Sequence, residues 1–190
     1  MRVIAGKYRS RPLASLRGLD LRPTADRLRE TMFNVLTAGN PGALEGTVWF
    51  DLYAGTGAVG IEALSRGAGK VYFVESSARA VELVQANLCS LGVKTGFEAL
   101  RQDVARALPK LETLGATPDI IFLDPPYRME LDYRRTLQSL AGSRLLKASS
   151  LVIAEHDKRF DPGEEFGLLR RYRKLVQGDA GLSFYSLVAL

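Results

Sequence analysis

The segment Asp124-Pro125-Pro126-Tyr127 combines residues that could act directly in a reaction. It follows an apolar stretch, residues 119–123, which predicts a buried strand, and two prolines at that point hold the following loop in one conformation. The Asp124 carboxylate and the Pro125 carbonyl can then both accept hydrogen bonds from an exocyclic amine. Tyr127 offers a flat face on which a base can stack, worth about 1–3 kcal/mol. The segment predicts a site for the amino group of a nucleobase, with all four residues as candidate catalytic residues.

The chemistry that suits such a site is methyl transfer to the amino nitrogen. That nitrogen is a weak nucleophile because its lone pair is delocalised into the ring. Two acceptors that hold its hydrogens favour a pyramidal nitrogen and stabilise the positive charge that develops on it. Holding the nitrogen in line with a methyl donor adds a proximity effect, and a paired target base must first be flipped out of its stack. Asp124 and Pro125 alone leave adenine, cytosine and guanine open as targets.

A glycine-rich loop follows an earlier predicted strand and leads into a predicted helix. Gly55, Gly57 and Gly60 fit the G-x-G-x-x-G pattern, in which glycines allow a sharp turn and close approach of a ligand. Glu75 ends the next predicted strand, where an acid can accept hydrogen bonds from both ribose hydroxyls of a nucleoside. These features alone allow either a nicotinamide dinucleotide or S-adenosylmethionine.

Two aspartates bear on the choice of cofactor. Asp51, directly before the loop, suits the cationic ammonium of a methionine group and would repel a pyrophosphate. Asp103, after the third predicted strand, could accept a hydrogen bond from an adenine amino group, could cap the helix that follows, or could do both. We therefore predict S-adenosylmethionine as the cofactor. The candidate contacts are Asp51, Gly55, Gly57, Gly60, Glu75 and Asp103.

These loops meet only if a parallel sheet brings them together. Helical patterns alternate with predicted strands at 48–50, 71–74, 97–102, 119–123 and 151–154, which indicates right-handed βαβ units and an α/β, Rossmann-like fold. Predicted strands at 169–176 and 182–189 have no helix between them, so they form a terminal antiparallel hairpin. We predict a single domain over 1–190, with a basic arm or hairpin at 1–22 and a leading helix at 23–38 capped by Thr24.

The net charge of +5 is concentrated at one end of the chain. Residues 1–30 hold eight basic and three acidic residues, whereas the remainder has 18 of each and is neutral. A basic segment on a neutral body favours binding to a phosphate backbone, and a solvated arm without a partner is the alternative.

Composition indicates a soluble cytoplasmic protein. No apolar run approaches the roughly 20 residues that a membrane span requires, and the N-terminus lacks the apolar stretch of a signal peptide. The single cysteine, Cys89, excludes an intrachain disulfide and is expected to be a small core residue.

Taken together, these motifs closely resemble those of the bacterial 16S ribosomal RNA guanine-N2 methyltransferases of the RsmD type, which modify guanine 966 of the small subunit. The resemblance extends over essentially the whole chain. It is carried by residues 2–8, Arg22–Glu30, residues 33–36, Asp51–Gly60, residues 62–68 and residues 123–127, of which Arg22–Glu30 is the most family-specific.

The resemblance implies a class I S-adenosylmethionine-dependent methyltransferase with a seven-stranded, mostly parallel sheet and a terminal hairpin at one side. It implies methyl transfer to N2 of a guanine in 16S ribosomal RNA, within an assembling or assembled small subunit, by a monomer with no membrane association. Together with the basic segment, the resemblance implies that RNA is contacted by Lys7, Arg9, Arg11, Arg22, Arg27 and Arg29. A salt-bridged surface at Arg22–Glu30 is the alternative, although each such pair contributes only tenths of a kcal/mol.

Three other functions are compatible with part of the sequence. A DNA adenine-N6 or cytosine-N4 methyltransferase would share the Asp124–Tyr127 motif, but such enzymes usually carry a further target-recognition region. A nicotinamide-dependent oxidoreductase would not account for that motif, and a nucleic-acid-binding protein with a vestigial pocket would not need its intact carboxylates. His156, the only histidine, invites a general-base role, but we expect a satisfied surface or interface residue.

Overall fold

A computed structural model describes residues 1–15, 23–126 and 129–188, with the side chains of 23–25 left out. Arg22, Tyr127 and the Thr24 side chain, all assigned roles from the sequence, lie outside the described residues. The helices are α1 Pro23–Leu36, α2 Ala58–Ser65, α3 Ala78–Ser90, α4 Val104–Thr113 and α5 Glu130–Ala141. The strands are β1 Val48–Leu52, β2 Lys70–Glu75, β3 Phe97–Arg101, β4 Ile120–Leu123, β5 Leu151–Asp157, β6 Glu165–Phe166, β7 Leu169–Gln177 and β8 Ala180–Leu187.

The strands form one mixed sheet in the order β3-β2-β1-β4-β5-β8-β7-β6. Strands β1 to β5 run parallel, and β8 lies antiparallel between β5 and β7. The prediction of an α/β, Rossmann-like fold with a terminal antiparallel hairpin is confirmed.

The strand count differs from the seven that the resemblance implied, because the described residues contain an eighth strand. Glu165–Phe166 pairs with Leu169–Arg170 across a tight turn in which Gly167 has φ +59°. The Phe166 ring packs edge-on against Tyr185, with centroids 6.2 Å apart. A strand of two residues carries no periodic pattern, so the sequence did not reveal it.

Each face of the sheet packs against its own set of helices. One face buries Trp49, Phe73 and Phe122 beneath α1, α2 and α3. The other face packs against α4 and α5. Burial on both faces explains why β4 is apolar throughout.

Cys89 is exposed, so its expected place in the core was wrong; it lies on the part of α3 that faces away from buried Val84 and Leu88. Among the residues described, no helix is both long and apolar enough to span a lipid bilayer.

The N-terminal segment is a small hairpin rather than an extended arm, at least over residues 1–13. Val3 N–H donates to the Arg11 carbonyl at 3.0 Å, and Leu13 N–H donates to the Met1 carbonyl at 3.0 Å. Val3 and Leu13 are buried, so the hairpin contributes to the main core.

A buried glutamate on α2 fixes this hairpin to the domain. Glu62 has no exposed surface, and its carboxylate accepts the N–H groups of Ile4 and Ala5 at 2.7 and 3.0 Å. Arg66 completes the arrangement with an ion pair to the same carboxylate at 2.8 Å. Because a buried carboxylate needs such partners, Glu62 and the hairpin are mutually dependent.

Candidate active site

The strand order reverses between β1 and β4, and both candidate loops leave the sheet at this point. The adjacent pairing of β1 and β4 places the loop after Leu52 beside the loop after Leu123, and Asp124 N–H donates to the Leu52 carbonyl at 3.4 Å. In open α/β sheets, ligands bind at such a reversal, beyond the carboxyl ends of the strands. The fold therefore brings together the two motifs that the sequence singled out.

The three loop glycines have different physical roles. Gly55 and Gly57 have left-handed φ values of +55° and +76°. A Cβ at Gly55 would meet only the Tyr53 carbonyl, at 3.9 Å, so this glycine borders open space. A Cβ at Gly57 would press on Val84, and one at Gly60 would overlap the Phe73 ring. Gly55 leaves room for a ligand, Gly57 allows the loop to lie close to α3, and Gly60 allows α2 to pack closely on the sheet.

Asp51 lies buried beneath this loop. Its carboxylate accepts the Gly60 N–H at 2.9 Å. Burial raises its pKa from 3.8 to about 8, and the negative charges of Asp124 and Glu75 contribute to the increase. A cationic ligand group at this position would stabilise the ionised carboxylate.

Glu75 and Asp103 stand at the ends of neighbouring strands β2 and β3. The Glu75 carboxylate accepts the Gly55 N–H at 3.0 Å and the Ser77 N–H at 2.8 Å, which ties the glycine loop to β2. Each carboxylate oxygen has a second lone pair, so further hydrogen bonds remain possible. Asp103 caps α4 by accepting the Ala105 N–H at 2.8 Å, as the sequence indicated. Its contact with an adenine amino group stays a prediction.

The proline loop after β4 has a support that the sequence did not reveal. Tyr133 on α5 is buried, and its hydroxyl donates to the Pro125 carbonyl at 3.1 Å. Pro126 is exposed, and its carbonyl accepts the Met129 N–H at 2.7 Å. The Pro125 carbonyl is thus held in a fixed direction with one lone pair still available. Burial raises the pKa of Asp124.

The predicted RNA-contact residues separate into two groups. Lys7, Arg9, Arg11 and Arg27 are exposed. Arg9 and Arg27 border a cavity of about 490 Å³ between the hairpin and α1, also lined by Arg2, Ser10, Asp26 and Glu30. Arg2, Arg9 and Arg27 form a basic surface around this cavity, of which Arg2 was not predicted, whereas the Arg11 Nη2 donates to the Ser90 carbonyl at 3.0 Å.

Arg29 belongs to the interior and not to that surface. It is only 6% exposed, and its Nη2 donates to the Arg2 carbonyl at 2.8 Å and to the Asp26 carboxylate at 3.1 Å. The prediction that Arg29 contacts RNA therefore needs correction, because its neighbours cover it. Its positive charge opposes the increase in the pKa of Glu155, a partly buried acid next to Asp124.

His156 is satisfied within the core. Its Nε2 lies 2.9 Å from the Ser183 hydroxyl, and its Nδ1 lies 2.8 Å from the Asp157 carbonyl. Burial lowers its pKa. The expectation of a satisfied residue was correct, but its place is in the interior and not at the surface.

Comparison with known proteins places this geometry in a family. Residues 1–186 match the family described as conserved hypothetical protein 95. The chain is 34% identical to the putative rRNA methyltransferase YlbH of Bacillus subtilis, over 97% of this chain and 98% of that protein. It is 34% identical to ribosomal RNA small subunit methyltransferase D of Haemophilus influenzae, over 83% of this chain and 79% of that protein. The structure described as the putative methyltransferase yhhF from Escherichia coli superposes with a TM-score of 0.81 at 29% identity, covering 100% of this chain and 99% of the other.

Proposed function

The chain belongs to the conserved hypothetical protein 95 family, and we propose that it is an S-adenosylmethionine-dependent ribosomal RNA methyltransferase. Its target is the exocyclic N2 of a guanine in the 16S RNA, at the position numbered 966, within an assembling or assembled small subunit. It acts as a monomer. Relatives named as rRNA methyltransferases, one of them for the small subunit, support the substrate class.

The cofactor proposal rests on the donor set at the strand reversal. Asp51 provides a buried carboxylate for the methionine ammonium, and Glu75 lies where it can accept from the ribose hydroxyls. Gly55 leaves the adjoining space open, since a Cβ there would meet almost nothing. S-adenosylmethionine supplies an activated methyl group when bound. A pyrophosphate would find no cationic partner in Asp51, Asp124 and Glu75, the acids that share this site, which disfavours the dinucleotide.

The observation that carries the proposal is the pair of acceptors beside this cofactor site. The Asp124 carboxylate makes no hydrogen bond or ion pair with any described residue, and the Pro125 carbonyl is oriented by Tyr133. Together they can hold the two hydrogens of an amino group and stabilise positive charge on its nitrogen, an electrostatic effect of the kind that is worth about 3–4 kcal/mol per group in oxyanion holes. Tyr127 provides a stacking face, and Pro126 restricts the loop.

Variants of Asp124 test whether this residue acts in methyl transfer and not in cofactor binding. We expect Asp124→Asn and Asp124→Ala to bind S-adenosylmethionine with near wild-type affinity, because Asp124 faces the amine and not the cofactor. Methyl transfer to small subunits from cells lacking the gene should fall by at least about a hundredfold. Calorimetry measures the first quantity and incorporation of labelled methyl groups the second. Activity within threefold of wild type in both variants would remove Asp124 from the chemistry.

The same methyl-transfer assay tests whether DNA, and not ribosomal RNA, is the substrate. Genomic DNA, offered in place of small subunits, should accept no methyl groups above background. Transfer to DNA adenine or cytosine would support the DNA methyltransferase function instead.

A further inference from the structure

Glu155 occupies the position next to Asp124 on the neighbouring strand. Leu123 of β4 pairs with Ala154 of β5, and Asp124 and Glu155 are the next residues along these two chain segments. Phe122 and Ile153 both belong to the core beneath α1–α3. Because side chains alternate along a strand, Asp124 and Glu155 project to that same face, on strands about 4.8 Å apart. The two carboxylates therefore border one space at the carboxyl edge of the sheet.

Neither of these carboxylates has a partner among the residues described. The structure shows no hydrogen bond or ion pair for the Glu155 or the Asp124 side chain with any described group. Both side chains are partly buried, and the charge of Asp124 adds to the effect of burial in raising the pKa of Glu155. Their oxygens are not among the buried atoms of the described residues that lack a hydrogen-bond partner, so solvent reaches them and a ligand could take its place with several donors.

Arg29 is a cation whose charge acts on Glu155. The Arg2 carbonyl and Asp26 hold its Nη2, and its buried Nε has no hydrogen-bond partner among the described residues. Its charge acts on Glu155 without forming an ion pair within 4 Å. Arg29 thus opposes the increase in the Glu155 pKa without occupying its oxygens, and a donor from a bound base would favour the ionised form further.

Guanine carries the pattern of donors that two adjacent carboxylates require. Its Watson–Crick edge presents the ring N1–H next to the 2-amino group, so it offers neighbouring donors. Adenine and cytosine present a bare ring nitrogen, an acceptor, next to their amino groups. Enzymes that flip a base out of its stack read this same edge through hydrogen bonds.

We propose that Glu155 accepts the N1–H of the target guanine while Asp124 and Pro125 hold its 2-amino group. Glu155 is then the residue that selects guanine, and Arg29 is its positioning residue. The inference rests on the proposed function and deepens it. It explains how a site with the same proline loop as adenine and cytosine methyltransferases rejects those bases, since a carboxylate repels their ring nitrogen.

The test compares guanine with 2-aminopurine, which keeps the 2-amino group but has no hydrogen on N1. Each base is placed at the methylated position of 16S RNA by ligation of a synthetic segment, and small subunits are reconstituted from it. Sites built to accept a hydrogen bond reject analogues that lack the donor by about 10⁴-fold. We expect the wild-type protein to prefer guanine strongly, and Glu155→Gln to lower that preference at least tenfold, because the amide can donate to a bare N1.

Two further variants keep the result interpretable. Glu155→Asp retains the carboxylate and should retain the preference for guanine, even if its rate falls. Glu82→Gln, at an exposed glutamate of α3, is the matched control and should leave the preference unchanged. Melting temperature and S-adenosylmethionine affinity confirm that each variant is folded.

The possible outcomes separate this inference from the proposed function. An unchanged preference in Glu155→Gln, or an equal loss of preference in Glu155→Asp, would overturn the role of Glu155 while leaving guanine methylation intact. A wild-type protein that methylates neither base would overturn the proposed function, and the role of Glu155 with it.

Discussion

At the scale of single residues, Asp51 illustrates how burial prepares a side chain for a charged ligand. It lies in the interior with the Gly60 N–H as its hydrogen-bond donor, and it retains its proton well above the ordinary range. A ligand ammonium would restore the charge that burial disfavours. The same carboxylate thus opposes stability in the free protein and supports binding in the complex.

Replacing the charge of Asp51 should separate its effect on stability from its effect on cofactor binding. Asp51→Asn preserves the shape and the acceptor for Gly60 but removes the anion. We expect its affinity for S-adenosylmethionine to fall about tenfold to a hundredfold, the range for removal of a charge-assisted hydrogen bond. Its melting temperature without ligand should stay equal or rise. Calorimetry measures the affinity, and thermal unfolding measures the melting temperature. Unchanged affinity would show that Asp51 does not bind the cofactor.

The pH dependence of stability provides an independent measurement. The folded pKa of Asp51 is about 8 against an ordinary 3.8, so between these values the unfolded chain has released a proton that the folded protein retains. Stability therefore falls as the pH rises through that window, and it is greatest below it. Asp51→Asn should show a shallower fall in urea unfolding between pH 5 and pH 8. Asp124 and Glu155 shift in the same direction, so some slope remains.

Residue types and spacing identified those site residues that lie in contiguous motifs. Asp51, Gly55 and Asp124 follow strands in recognisable patterns. Glu155 and Tyr133 were missed as site residues, and Arg29 was predicted to contact RNA, because their roles depend on strand register and on helix packing. Arg29 and Glu155 are more than a hundred residues apart, and no local spacing connects Tyr133 to the Pro125 carbonyl.

At the scale of elements, close packing of α2 against the sheet sets the geometry of the glycine loop. Gly60 has no space for a Cβ beside Phe73, whereas Gly55 borders open space. Asp51 bonds to the same residue of α2, so helix packing also positions the carboxylate. Glu62 extends this dependence to the N-terminal hairpin.

Alanine substitutions at Gly60 and Gly55 should therefore differ in their effects on stability and on cofactor affinity. Gly60→Ala should destabilise the fold by about 1–3 kcal/mol, because the added methyl group overpacks the α2–β2 contact. Gly55→Ala should cost less, since only its left-handed φ of +55° opposes the side chain. It should nevertheless lower cofactor affinity, because the methyl group enters the open space. Urea unfolding and calorimetry distinguish the two, and a Gly55→Ala variant with full affinity would contradict this assignment.

The alternation of strands and helices predicted the parallel sheet and the antiparallel terminal strand. It did not predict β6, which has only two residues, or the insertion of β8 between β5 and β7. Nor did it predict that the hairpin packs on α2, because Glu62 resembles an ordinary polar position of a helix in the sequence. These features depend on tertiary contacts between distant segments.

At the scale of the whole molecule, Arg29 lies between the basic surface and the site formed by Asp124 and Glu155. Exposed Arg9 and Arg27 border the cavity between hairpin and α1, and Arg29 bonds to the Arg2 carbonyl in the same region. An RNA held on this surface by its phosphates would lie next to the site that receives the base. Phosphate contacts supply affinity, and the carboxylates supply selectivity.

Charge reversal on this surface should change RNA binding without changing cofactor binding. Arg9→Glu with Arg27→Glu should weaken binding to 16S RNA and flatten its salt dependence by about 0.7 for each phosphate that the protein no longer neutralises. Arg106→Glu with Lys110→Glu makes the same charge change on α4, across the sheet, and should have a smaller effect on the salt slope. Equal slopes for the two double variants would show that net charge, and not this surface, governs binding.

The central claim is methyl transfer to a guanine amino group of small-subunit RNA. It is tested most directly by mass spectrometric mapping of 16S RNA from cells with and without the gene. We predict that N2-methylguanosine disappears from one position on deletion, returns with the wild-type gene and does not return with Asp124→Asn. An unchanged N2-methylguanosine content after deletion would contradict this claim.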